Sequence, residues 1–192
     1  MPNYPKKHFL QDGQSLPKHQ EDSSAALSAF CKRQTDLARA TALHKLELLE
    51  SVLSSAVEDL PNSQKNVFVG KTEKLAAQKA VSKLFLGIEQ CKRALSEQAV
   101  LLNRISERIA VYLHQTGDLN EQLSHNARAA NELSDLFMHF CGTTVWQICN
   151  ALEQTADTEH ACEALRLRDT EGLCAELSRL LDMMKQKIRQ TV

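Results

Sequence analysis

The sequence predicts an all-α protein: an elongated antiparallel, up-down bundle of about four long helices with coiled-coil-like packing, preceded by a polar tail. Three observations predict it. A 3-4 ladder of ten positions runs from Val81 to Tyr112, and nine are apolar: Val81, Leu84, Ile88, Cys91, Leu95, Leu102, Ile105, Ile109 and Tyr112, with Gln98 the exception. All four prolines lie at or before Pro61, so the 131 residues after it carry no helix-breaking ring. Glycines number six, and Val67-Phe68-Val69 is the one short β-like run, too little to build a sheet.

Residues 1–21 contain three prolines, Gly13 and few hydrophobes, the composition of a disordered polar tail; residues 22–192 form the bundle domain. The first helix is expected from Asp22-Ser23, good capping residues, to about Leu60. Its seam is Leu46, Leu49, Leu53, Ala56 and Leu60, widened by Leu43 and Val52, and Pro61-Asn62 stops it. The second helix carries the ladder to Gln115-Thr116, where Gly117 supplies a left-handed C-terminal cap. Asp118-x-x-Glu121 has the spacing of a capping box for a third helix, so helices two and three form a tight antiparallel hairpin. That third helix is expected over 119–155 through Leu119, Leu123, Ala130, Leu133, Phe137 and Phe140, with a bend at Gly142-Thr143-Thr144. Asp157-Thr158 caps a fourth, broken near Asp169 to Gly172 and continuing through Leu173, Leu177, Leu180, Met184 and Ile188.

The ladder invites a choice between a dimerising zipper and a bundle core. With Val81 as position a, the flanking e and g positions are Phe85, Gly87, Lys92, Ala94, Ala99, Leu101, Ser106, Arg108 and Leu113. A zipper places pairing charges there, and two of these nine are charged. The apolar stripe is therefore wider than a zipper seam, and the ladder faces the inside of the chain's own bundle. Residues 71–116 hold eight Lys/Arg against four Asp/Glu, while 117–157 hold one Arg against six acids. Opposite charge favours pairing of helices two and three, although each exposed ion pair contributes little.

Composition bounds the function. Charged residues are 24% and apolar residues 43%, as in a folded globular domain. A net charge of −1 gives no overall attraction to nucleic acid, and no run of eighteen apolar residues offers a membrane span. Cys31, Cys91, Cys141, Cys149, Cys162 and Cys174 have no compact disulfide framework, and residues 1–22 do not form a secretory signal. A reducing, cytoplasmic location is the expectation.

Motif chemistry is sparse. Gly70-Lys71-Thr72 has the end of a phosphate-binding loop, but the glycine required five residues earlier is Lys65. His139-x-Cys141, Cys149, His160-x-Cys162 and Cys174 offer soft ligands at spacings that diverge on a helix, so no metal site and no cofactor is expected. Glu-x-x-His, His-Glu-x-x-His and nucleophile-elbow patterns are absent. The lysines of 71–92 lack interleaved aromatics for base stacking.

The expected function is non-enzymatic: a protein–protein interaction module, whether scaffold, adaptor or subunit of a helical assembly. Its partner is a protein or a second copy, with no nucleic acid and no small-molecule ligand. The most apolar stretch, Leu136 to Leu152, supplies the candidate partner surface Phe137, Phe140, Val145, Trp146, Ile148 and Leu152, with the sole tryptophan as anchor. The same stretch also suits the bundle core. Two other classes are a metal- or small-ligand-binding helical domain, marked by an internal cavity, and a secreted bacterial effector or secretion component using the tail for export.

Overall fold

A computed structural model describes residues 18–59, 71–117, 119–144, 147–148, 150–151 and 163–191. Among these the architecture is an all-α bundle without strands: α1 (Lys18–Asp59), α2 (Lys71–Thr116), α3 (Glu121–His139), a π-helical turn (Phe140–Thr144) and α4 (Glu163–Gln190). Helices α1, α2 and α3 pack on one another, and α4 lies chiefly on α1. At 1.5 Å per residue the 46 residues of α2 span about 69 Å, which makes the molecule long. No described helix is long and apolar enough to cross a membrane.

Several boundaries differ from expectation. Helix α1 begins at Lys18 rather than Asp22, and ends at Asp59, just short of Leu60-Pro61. The expected tail otherwise falls on residues 1–17, outside the described residues, as does Val67-Phe68-Val69. Lys71-Thr72 form the first turn of α2 and not an interhelical loop. Gly117 takes φ +64°, and its N–H donates to the Leu113 carbonyl at 3.0 Å, so the expected left-handed cap ends α2. The cap of α3 is Asn120, not Asp118: its side-chain oxygen accepts from Leu123 N–H at 2.9 Å. Leu119 consequently lies before the helix and is 88% exposed, instead of joining the core.

The bend expected at Gly142 is a π-helical turn, and helix α4 runs without a break through Asp169 to Gly172. One glycine in an exposed position costs about 1 kcal/mol, too little to interrupt a helix whose other face is anchored. Asp157-Thr158 lies outside the described residues.

The ladder forms the core of α2. Leu84, Ile88, Cys91, Leu95, Leu102, Ile105 and Ile109 are buried, and at the Gln98 exception the neighbouring Ala99 takes the inward place. Phe85 and Leu113 pack against this core as partly buried neighbours, the wide stripe expected of a bundle. On α1 the buried line is Ser24, Ser28, Cys31, Thr35, Ala38, Ala42, Leu46, Leu49, Leu53 and Ala56.

Cross-helix contacts set direction and register. A Cβ at Gly87 would stand 3.2 Å from Val52 Cγ1 and 3.3 Å from Leu49 Cδ1, so α1 and α2 approach closely there. Lys83 pairs with Asp59 at 3.1 Å, and the two helices therefore run in opposite directions. Ser134 Oγ donates to the Ala99 carbonyl at 2.8 Å and Cys141 Sγ to the Lys92 carbonyl at 3.5 Å, so α2 and α3 are also antiparallel. These two bonds fix the register of a pair whose buried apolar faces pack in one core. The ion pairs between helices, among described residues, join α1 to α2 and α1 to α4, where Lys185 meets Glu50 at 2.9 Å.

Candidate interaction surface

Helix periodicity decides which side chains remain for a partner. On α3 the inward positions are Leu123, Asn126, Ala127, Ala130, Leu133, Ser134 and Phe137, continued by Phe140 and Cys141 in the π-helical turn. Of the six residues expected to form a partner surface, Phe137, Phe140 and Ile148 belong to the hydrophobic core, because α3 packs on both α1 and α2. Val145, Trp146 and Leu152 lie outside the described residues.

A different apolar surface is exposed. On α1, Phe30 and Leu48 are eighteen residues apart, five helical turns, so they share one strip of the helix; Leu37 lies within about 20° of it. That strip is turned about 120–140° away from the buried line. On α2, Leu86 and Val111 point away from the buried ladder, while Leu101 flanks the side facing α1. All six residues are between 40% and 59% exposed.

The α1–α2 register brings them together. Gly87 is level with Leu49 and Val52, and each step back along α1 is matched by a step forward along α2. Leu37 therefore stands level with Leu101, Phe30 stands near the level of Val111, and Leu48 near that of Leu86. Each level carries one apolar residue from each helix on the outer side of the α1–α2 groove. No signal in a single helix reveals this surface, because its halves lie on two helices, 38 to 81 residues apart, and meet only through the register.

A second feature is a polar cleft of about 180 Å³ between α1 and α3, lined by Lys32, Thr35, Asp36, Arg39, Gln122, His125, Asn126 and Ala129. It begins where α4 ends: Arg39 donates to the Thr191 carbonyl at 2.6 Å and to Asp36 at 3.0 Å. Asn126 directs its amide N–H groups to Ser28, at 2.9 Å to Oγ and 3.2 Å to the carbonyl, and accepts from Gln122 at 3.2 Å. Thr35 Oγ1 donates to the Cys31 carbonyl of its own helix at 2.9 Å. These groups are engaged in holding α1, α3 and the end of α4 together, which is a structural use of polarity.

The cysteines behave as core residues. Cys31, Cys91, Cys141 and Cys174 are buried free thiols. Burial pushes the Cys91 thiol up to about 12, Cys141 beside it adds to the rise, and Lys45 opposes it. Burial likewise raises Cys174 to about 11, helped by Glu171. Thiols so disinclined to ionise are poor nucleophiles and poor metal ligands at neutral pH. His139 is exposed whereas Cys141 is buried, so the two diverge. Among the described residues no three His, Cys, Asp or Glu side chains gather as a metal site would require. Comparison with known proteins finds no family model, no curated protein and no solved structure that matches this chain.

Proposed function

We propose that the protein is a non-enzymatic interaction module that binds a protein partner along the outer α1–α2 groove. The observation that carries this reading is the pairing of exposed apolar residues at three levels: Phe30 with Val111, Leu37 with Leu101, and Leu48 with Leu86. Scattered single hydrophobes on a surface need no explanation, but a row contributed by two helices at matching levels has the form of an unfilled helix-packing seam. A partner helix laid there would complete a packing arrangement that α1 and α2 already use on their inner side.

The test is a comparison of the wild-type chain with a Leu37→Asp/Leu101→Asp variant. Both substitutions fall on exposed positions, so far-UV circular dichroism and thermal unfolding are expected to match the wild type. Affinity purification from the native cell, followed by mass spectrometry, should recover at least one protein with the wild type that the variant loses. Identical recoveries from a folded variant would remove the groove as the functional surface.

A further inference from the structure

Three arginines surround the upper part of this groove. Arg33 lies between Phe30 and Leu37 on α1, one turn from each; Arg104 and Arg108 follow Leu101 on α2 by one and two turns. All three are exposed, and none forms an ion pair with another described residue. Two acids of α2 lie nearby: Glu97 is paired with Arg93 at 3.4 Å, and Glu107 accepts from Asn103 at 3.0 Å, so the three arginines still outnumber the carboxylates left without a cation. Exposed cations without an ion pair among the described residues also occur elsewhere, Lys32, Arg128 and Lys187 among them; what sets the groove apart is that three of them stand beside one apolar row. The groove therefore combines an apolar row with an excess of positive charge, in a chain whose net charge is −1.

Resting on the interaction reading above, we propose that the partner is an amphipathic α-helix with acidic residues flanking its apolar stripe. The apolar row asks for leucine-like anchors at helical spacing, and the arginines ask for carboxylates beside them. A second copy of this chain laid parallel on the groove would bring three further arginines against these three, so the charge favours an acidic helix as the occupant. From the level of Phe30 to that of Leu48 the groove runs eighteen residues of α1, about 27 Å, which matches a partner helix of about five turns. Guanidinium groups also keep the contact specific. An apolar helix flanked by lysine would be repelled, which supplies discrimination that the leucines alone do not.

The test uses the full chain and two synthetic peptides about five turns long. Both carry leucines at 3-4 spacing; one is flanked by glutamates and the other by lysines at the same positions. Fluorescence anisotropy should show the acidic peptide binding at least about tenfold more tightly than the basic one, with affinity falling as salt is raised. An Arg104→Glu/Arg108→Glu variant, with unchanged circular dichroism and Tm, should lose that preference or invert it. Equal binding of the two peptides, binding of neither, or a preference untouched by the charge reversal would overturn the proposal. So would binding of phosphatidylserine vesicles in place of the acidic peptide, since anionic lipid presents the same charge without helical spacing. A cellular partner lost on Leu37→Asp/Leu101→Asp but retained on Arg104→Glu/Arg108→Glu would leave the interaction reading standing and remove the acidic helix.

Discussion

Helix α1 changes character halfway along. From Ser24 to Ala42 its buried line is Ser24, Ser28, Cys31, Thr35, Ala38 and Ala42; from Leu46 it becomes Leu46, Leu49, Leu53 and Ala56. The 3-4 spacing continues across the change, so both halves face the same core and differ in what they contribute to it. The leucine half buries apolar area, at about 25 cal/mol per Å² removed from water. The small half buries less and instead allows α3 to come close: Ala129 is buried beside Thr35 between the two helices, and Asn126 reaches Ser28. Polar satisfaction there is incomplete. Ser24 Oγ and the Tyr112 hydroxyl, level with one another at that end of the bundle, are buried without a hydrogen-bond partner among the described residues. One half supplies stability and the other supplies register and specificity.

The widest separation between the halves comes from truncation. Leu46→Ala should cost about 2–5 kcal/mol, because Leu46 is fully buried and leaves a cavity, and urea unfolding measures it. Asn126→Ala should cost less, about 1–3 kcal/mol, from the lost bonds to Ser28 and the loosened contact of α1 with α3. A cost at Asn126 equal to that at Leu46 would break the contrast.

Alkaline pH acts on the leucine half and on α4. Cys91 and Cys174 have folded values of about 12 and about 11, above the ordinary 9.0, so their contribution is complete below pH 9 and is lost as pH rises toward the folded values. Lys185 is raised by its hydrogen bonds to Glu50 and Asp182, so its contribution to docking α4 on α1 fades above its ordinary 10.5. Stability against urea should therefore fall from pH 9 upward. A Cys91→Ala/Cys174→Ala variant should fall less between pH 9 and 10.5; an identical slope would show that these thiols are not the cause. The smallest effect belongs to the outer groove. Leu37→Ala should change stability by no more than about 0.5 kcal/mol, since more than half of the side chain is already in water. A larger loss in a thermal melt would mean that Leu37 supports the fold itself.

Large apolar residues made the fold legible in sequence. The α2 ladder, the Leu46–Ala56 seam and the glycine at the α2–α3 junction are signals in which residue type and local geometry agree. The small half of α1 was invisible to the same counting, because Ser24, Ser28 and Thr35 are polar types that are buried only by close helix approach. The cap of α3 was displaced by two residues because Asp118 and Asn120 are both good caps, and which one serves depends on the turn after Gly117. For the site, apolarity could not separate core from surface: Phe137 and Phe140 are as hydrophobic in a bundle interior as in an interface. The exposed groove could not be found at all from one helix, since it needs Leu37 and Leu101 at one level.

The turn at Gly117 has a consequence for the order of assembly. The contacts it brings together are close in sequence: Ser134 and Ala99 are separated by 35 residues, Cys141 and Lys92 by 49. Those that dock α4 are remote, with 135 residues between Lys185 and Glu50 and 152 between Arg39 and Thr191. Short loops close at lower entropic cost, so the α2–α3 hairpin is expected to form in the folding transition state and α4 to dock after it. Ser134→Ala should then slow refolding, whereas Lys185→Met should act mainly on unfolding. The α1–α2 contacts are as local, with 24 residues between Lys83 and Asp59, so α4 is the helix expected to arrive last and to leave first.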